Sequence, residues 1–204
     1  MLIEQPPTLF RHLYPQAWWR LSKEKQIIYL TFDDGPIPEV TPWVLDLLLS
    51  CEVKATFFMV GENAARHPEL LRRVLDEGHR VGNHSYNHLR GFGCSVEKYM
   101  DNVRKADSIL HTSLFRPPYG RITFGQYRAL QRSYQVVMWD VVTRDYSDRL
   151  TPEEVLAIVK RYVRNGSIIT FHDSLKSWRH SLRTALPQAI TYLKEAGYQF
   201  RPLP

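Results

Sequence analysis

Apolar residues fall in two rhythms along this chain. One is short and unbroken: Ile27, Ile28, Tyr29, Leu30, Thr31 and Phe32 run together and stop at Asp33, Asp34, Gly35 and Pro36, which predicts a buried strand closed by a turn. Similar runs predict strands over 54–60 (ended by Gly61), 80–83 (running into His84), 114–116 (before Pro117 and Pro118), 134–139, 167–171 and 198–200. The other rhythm steps by three and four. Trp43, Val44, Leu47 and Leu48 share a helical face, and a helix over 68–77 is closed by Gly78. Val96, Tyr99, Met100, Val103, Ala106 and Leu110 follow Ser95, a good N-cap. A weaker helix is expected over 123–132 and another over 182–196, ended by Gly197. The helix over 151–164 carries the fullest signals: Thr151 and Glu154 form a capping box, Pro152 sits in the first turn, and Asn165-Gly166 ends it. Strands and helices alternate throughout. That pattern predicts an α/β domain with a parallel sheet and helical crossovers, closed as a barrel or open and doubly wound. Residues 1–25, rich in Pro and aromatic side chains without clear period, are expected to form an arm packed on the domain at 26–204.

Composition narrows the picture only a little. With 204 residues, 44% of them hydrophobic, the chain is long enough for one substantial core. The net charge of +6 raises the question of nucleic acid, but the 27 basic residues are scattered, with no run longer than Arg72-Arg73, so no nucleic-acid partner is expected. Cys51 and Cys94 are the only cysteines and do not form a Cys-x-x-Cys pair, which argues against a zinc ribbon and leaves bridged and free forms open. There is no apolar leader in the first 25 residues and no stretch long enough to span a membrane; the compartment stays open between cytoplasmic and exported after processing.

The candidate chemistry lies where the predicted strands end. Working residues of parallel α/β folds sit just past the C-terminal ends of strands. Here Asp33 and Asp34 follow the first strand, His84 and His88 the third, 116–120 the fourth, Asp140 and Asp145 the fifth, and His172 and Asp173 the sixth. Adjacent carboxylates at the mouth of a buried strand repel each other unless a cation or donors hold them, although Asp-Asp-Gly-Pro also serves as a plain polar turn. His84 and His88 form a His-x3-His pair that one helical turn can aim at one ion. A carboxylate from the first strand would complete a three-ligand site with open positions for water. Arg116, a permanent cation, is suited to orient a carboxylate through a bidentate pair, and the Pro-Pro-Tyr-Gly that follows also reads as a rigid turn. A histidine such as His172, ending a buried strand beside a metal site, is placed as a general acid.

Taken in order, Thr31-Phe-Asp-Asp-Gly-Pro36, His84-Ser-x-x-His88, Arg116-Pro-Pro-Tyr-Gly120, Asp145-Tyr146 and the His172-Asp173 strand end resemble the five motifs of the polysaccharide deacetylases, the chitooligosaccharide deacetylase homology domain of carbohydrate esterases. The resemblance covers about residues 26–200. It implies a distorted (β/α) barrel of about seven parallel strands and a divalent metal, zinc above all, with cobalt or nickel as substitutes. By motif position it implies Asp33 as catalytic base, Asp34, His84 and His88 as metal ligands, and Arg116 as the residue that holds Asp33. The Tyr119 amide would face the oxyanion, and Asp145 would orient His172, the general acid. Pro117, Tyr146 and Thr170 would touch the substrate.

Two positions depart from the family pattern. Thr170 stands where the family usually has Leu, and Tyr146 where it usually has Trp, both in the acetyl-methyl pocket, so a roomier or wetter pocket is expected. The reaction this resemblance implies is N-deacetylation of poly- or oligosaccharide containing N-acetylglucosamine, chitin-like or peptidoglycan-like, with release of acetate. The same machinery acting on O-acetyl esters of xylan-type glycans, and a degenerate carbohydrate-binding homologue, are the alternatives.

Overall fold

The computed structural model describes residues 4–21 and 23–204. The chain runs through α1 (Thr8–Leu13), β1 (Ile27–Asp33), α2 (Thr41–Ser50), β2 (Thr56–Met59), α3 (Gly61–Arg66), α4 (Pro68–Asp76), β3 (Arg80–Asn83), α5 (Val96–Leu110) and β4 (Leu114–Phe115). It continues through α6 (Phe124–Leu130), β5 (Gln135–Val136), β6 (Val141–Val142), α7 (Pro152–Tyr162), β7 (Ile168–His172), α8 (Leu175–His180), α9 (Leu182–Glu195) and β8 (Gln199–Phe200).

Seven strands in the order β5-β4-β3-β2-β1-β7-β6 form a curled parallel half-barrel, with β8 pairing the start of β1. The fold is the expected distorted (β/α) barrel. All seven residues of β1 are buried, because helices cover one face of the sheet and the barrel interior the other, and this is why its sequence reads as a continuous apolar run rather than an alternating one. Phe32 stacks on Phe57 with ring centroids 5.0 Å apart and tilts against Phe171 at 6.4 Å, tying β1 to both neighbours. Registers Asp33↔Phe58 and Asp33↔His172 then place the carboxyl end of β1 level with those of β2 and β7.

The helix signals hold. Glu154 N–H donates to Thr151 Oγ1 at 3.3 Å while Thr151 N–H donates to Glu154 Oε2 at 2.8 Å, and Ser95 Oγ accepts from Lys98 N–H at 3.2 Å. The predicted strand over 134–139 does not survive as one element. Val137 N–H still bonds the Phe115 carbonyl of β4, Met138 N–H turns to the Trp18 carbonyl, and Asp140 N–H reaches the Ile168 carbonyl of β7. The chain is crossing the seam of the half-barrel there, and β6 forms on the far side.

Residues 17–21 lie in that seam. Trp18 bridges Val137, Arg20 bridges Ser167, and Leu21 N–H donates to the Gly166 carbonyl at 2.8 Å. Asp140, expected among the site residues, is instead the bolt of this region: it is fully buried and takes hydrogen bonds from Arg11 (2.6 Å), Arg164 (2.6 and 2.9 Å) and Ser167 (2.7 Å). Burial pushes its carboxyl up, and those donors more than reverse the push. Cys51 and Cys94 are free thiols. No helix among the described residues is long and apolar enough to cross a membrane.

Candidate active site

The carboxyl ends of β1, β3, β4 and β7, with the loop after β6, open on one cleft of about 710 Å³. Asp33, Asp34, His84, His88, Pro117, Tyr119, Tyr146, Thr170 and His172 all line it. Arg116 and Asp145 lie fully buried beneath its floor.

Three of these residues can hold a cation. One ligand atom each from Asp34, His84 and His88 fall within 4.8 Å of one another. Asp34 Oδ1 is 3.3 Å from His88 Nε2 and 3.8 Å from His84 Nε2. His84 Nδ1 lies 2.8 Å from the Arg116 carbonyl, an acceptor, so this nitrogen carries the proton and Nε2 keeps its lone pair. Burial, with Asp33 opposing it, takes the His84 pKa down to about 4, so the ring is neutral at pH 7 as a ligand must be. The pair does not sit on a helical turn as the spacing suggested: residues 84–90 form a loop, with left-handed backbone at Ser85 (φ 65°) and His88 (φ 56°) folding the second ring back towards the first. The ring centroids end 5.1 Å apart.

Beside this cluster Asp33 meets Arg116. Arg116 Nη1 donates to Asp33 Oδ1 at 2.6 Å and to Thr31 Oγ1 at 2.8 Å, Nη2 donates to the Met138 carbonyl at 3.0 Å, and the guanidinium lies 4.1 Å over the Phe58 ring. The expected bidentate pair is therefore a single bond, because the second nitrogen is spent on the backbone at the seam. Burial pushes the Asp33 carboxyl up, but Arg116, His84 and His172 together hold it below the usual carboxylate range.

Opposite stands the second pair. His172 Nδ1 is 2.8 Å from Asp145 Oδ1, and Asp145 Oδ2 accepts the His172 backbone N–H at 2.9 Å. Burial alone would lower the His172 pKa; Asp145, with Asp34 and Asp33, overcomes it and pushes the value up to about 9. The Tyr146 ring packs edge-on against His172 with centroids 4.7 Å apart. The expected wetter pocket is not what Thr170 provides: its Oγ1 lies 3.2 Å from Thr31 Oγ1, so the hydroxyl has a protein partner.

Tyr119 has a left-handed backbone (φ 60°), and its N–H donates to no acceptor among the described residues. Its side chain, 61% exposed, packs edge-on against His88 at 4.5 Å. Gly120 follows with φ 63°, and a Cβ there would stand 2.0 Å from the Trp139 ring.

Sequence reasoning placed Asp173 beside His172 without a role and did not single out Trp139. Asp173 accepts Gly35 N–H at 3.1 Å and Thr41 O–H at 2.6 Å, and a Cβ on Gly35 would collide with it at 2.0 Å. It shapes the Asp-Asp-Gly-Pro turn from below, and its place directly after His172 was the one signal for it. Trp139 lines the cleft from the end of the seam crossing, which no local pattern announces.

Known proteins resemble this chain in sequence and in fold. The family model for polysaccharide deacetylase matches residues 20–139. A peptidoglycan-N-acetylglucosamine deacetylase of Bacillus cereus is 36% identical over 202 residues, covering 94% of each chain. A chitooligosaccharide deacetylase of Bradyrhizobium sp. is 33% identical over 195 residues, covering 87% of this chain and 89% of the relative. A crystal structure of a peptidoglycan N-acetylglucosamine deacetylase in complex with 4-naphthalen-1-yl-N-oxidanyl-benzamide superimposes with TM-score 0.88 and 32% identity, covering 98% of this chain and 95% of that one. With the five motifs brought to one cleft and matches of this extent, the chain belongs to the polysaccharide deacetylase family.

Proposed function

We propose that the protein is a divalent-cation-dependent N-deacetylase of glycans built on N-acetylglucosamine, with zinc as the cation and cobalt or nickel as substitutes. The observation that carries this reading is the meeting of Asp34, His84 and His88 between two oppositely tuned pairs, Asp33–Arg116 and His172–Asp145. A carboxylate and two neutral imidazoles form a donor set suited to zinc. A cation held there would supply a Lewis acid able to polarise the acetyl carbonyl and to lower the pKa of water towards ~7.

The chain's own residues do the rest. Asp33, kept ionised by Arg116, accepts the proton of the attacking water. The Tyr119 N–H donates to the carbonyl oxygen as charge builds on it, a contribution of about 3 kcal/mol for one such donor. His172, charged through Asp145 and with Nδ1 committed to it, passes a proton from Nε2 to the departing sugar nitrogen. The C–N bond breaks, and acetate and a free amine leave. The relatives named for peptidoglycan and for chitooligosaccharides support an N-acetylglucosamine substrate here.

The test pairs metal analysis of the purified protein with an acetate-release screen on peptidoglycan, N-acetylated chitooligosaccharides and acetylated xylan. Acetate from the first two, lost on chelation and restored by zinc, is expected. Release from xylan alone would shift the reading to an O-acetyl esterase. Glycan binding without any release would leave a binding protein.

A further inference from the structure

One wall of the cleft comes from outside the family match, which begins at residue 20. Pro6, Phe10, Tyr14 and Trp19 line the same cavity as the candidate catalytic residues. The helix that carries Phe10 has no local reason to exist. It is six residues long, Pro7 gives it no side-chain cap, and none of its residues is buried; so short a helix is not stable by itself.

It is nevertheless held from several sides. Arg11 reaches the buried Asp140, the Glu4 carboxylate pairs with Arg144 at 2.5 Å, the Glu4 carbonyl accepts Val142 N–H at 2.8 Å, and Tyr14 O–H donates to the Ile122 carbonyl at 2.8 Å. These anchors fix the helix across the open side of the half-barrel. What they present to the cleft is Phe10, 46% exposed and with no aromatic or cationic neighbour on its ring among the described residues. An aromatic face held uncovered at a cleft wall, continuous with a site for a sugar, suits the C–H face of a second pyranose ring.

We infer that the arm is a sugar subsite, in which Phe10 stacks on a residue flanking the one that reacts, so that the protein favours glycan chains over short substrates. The inference rests on the glycan reading above. Phe10 touches no reacting atom and acts through binding alone. Covering the rest of its ring, on the order of 50 Å², is worth up to about tenfold in affinity.

The experiment compares N-acetylglucosamine with N-acetylated chitotetraose on the metal-loaded wild type, Phe10→Ala, Phe10→Tyr and Leu9→Ala. Leu9 lies on the same helix, 74% exposed and outside the cleft lining. Phe10→Ala is expected to raise KM for the tetramer by about three- to tenfold at unchanged kcat, with the monomer unaffected. Phe10→Tyr should restore the tetramer KM, and Leu9→Ala should behave as wild type. Equal losses on both substrates, or none on the tetramer, overturn the subsite. Binding of the same sugars by calorimetry separates this from the reaction itself. If no glycan releases acetate, the deacetylase reading fails, while weaker tetramer binding by Phe10→Ala still supports the subsite; unchanged or absent tetramer binding rejects it.

Discussion

His84 and Arg116 meet through one hydrogen bond, from His84 Nδ1–H to the Arg116 carbonyl, while the Arg116 guanidinium bonds Asp33. On the proposed reading the backbone of residue 116 fixes a cation ligand and its side chain fixes the base, so the two roles can be separated by mutation. Arg116→Met should keep the bound cation and lose activity, with the loss greatest at low pH. Asp33 must be ionised to accept a proton. Without the guanidinium, burial pushes its pKa up, and the acid limb of the kcat/KM profile moves to higher pH. Stability should fall by roughly 3–5 kcal/mol, the usual result of breaking a buried pair. An acid limb that does not move in Arg116→Met means that another group sets it.

The three ligands predict a different signature. His84→Ala or His88→Ala should remove cation and activity together, whereas Asp33→Asn should retain the cation and lose about 10²- to 10⁴-fold in rate. Metal content of the purified variants is the readout. Full occupancy in His84→Ala removes that residue from the ligand set.

The His172–Asp145 pair governs the alkaline side. His172 is raised from 6.5 to about 9, so its charged form, and with it the proton for the leaving amine, is lost only as pH climbs through that value. In Asp145→Asn burial is left less opposed, and the alkaline limb should retreat to lower pH. The same shift has a stability sign. A raised folded-state pKa stabilises fully below the unfolded value of 6.5 and is lost as pH rises through about 9, so the wild-type melting temperature should fall over that window and the variant's should fall less.

Thr170 bears on acyl selectivity. It is 1% exposed, with its hydroxyl against Thr31, which also accepts a hydrogen bond from Arg116. Thr170→Leu fills more of the pocket and should sharpen the preference for N-acetyl over N-propionyl substrates by up to ~1–3 kcal/mol. It should also lower stability by about 1–3 kcal/mol through overpacking. An unmoved ratio of kcat/KM for the two substrates would show that residue 170 does not meet the acyl group.

Much of this was legible because the informative residues are local signals. β1 announces itself as an apolar run and its end as Asp-Asp-Gly-Pro, and the capping residues at Ser95 and Thr151 mark α5 and α7. What escaped depends on distant partners. β6 has two residues and exists because Val141 and Val142 meet Ile169 and Thr170. The helices α3 and α8 are six residues each, too short to display a period, and α1 turns its apolar residues outward. His84 and His88 carry a helical spacing in a loop, since left-handed residues can return a side chain as well as a helical turn can. Asp140 and Asp145 looked alike in the sequence. The difference lies in who stands opposite: arginines from the arm and from the loop after α7 for one, His172 for the other.

The seam sets an order of assembly. A chain made from its amino end presents Trp18 to Leu21 and one edge of β1 long before their partners exist, since those edges are completed by residues 136–137, 166–172 and 199–200. β1, β2 and β3 can pair early. Asp33 then waits through about 140 residues of synthesis for His172 to arrive at its side, so the meeting of these two strand ends is among the last to form. A nascent chain halted before residue 168 has Asp34, His84 and His88 without His172, and its exposed β1 edge invites pairing with another chain.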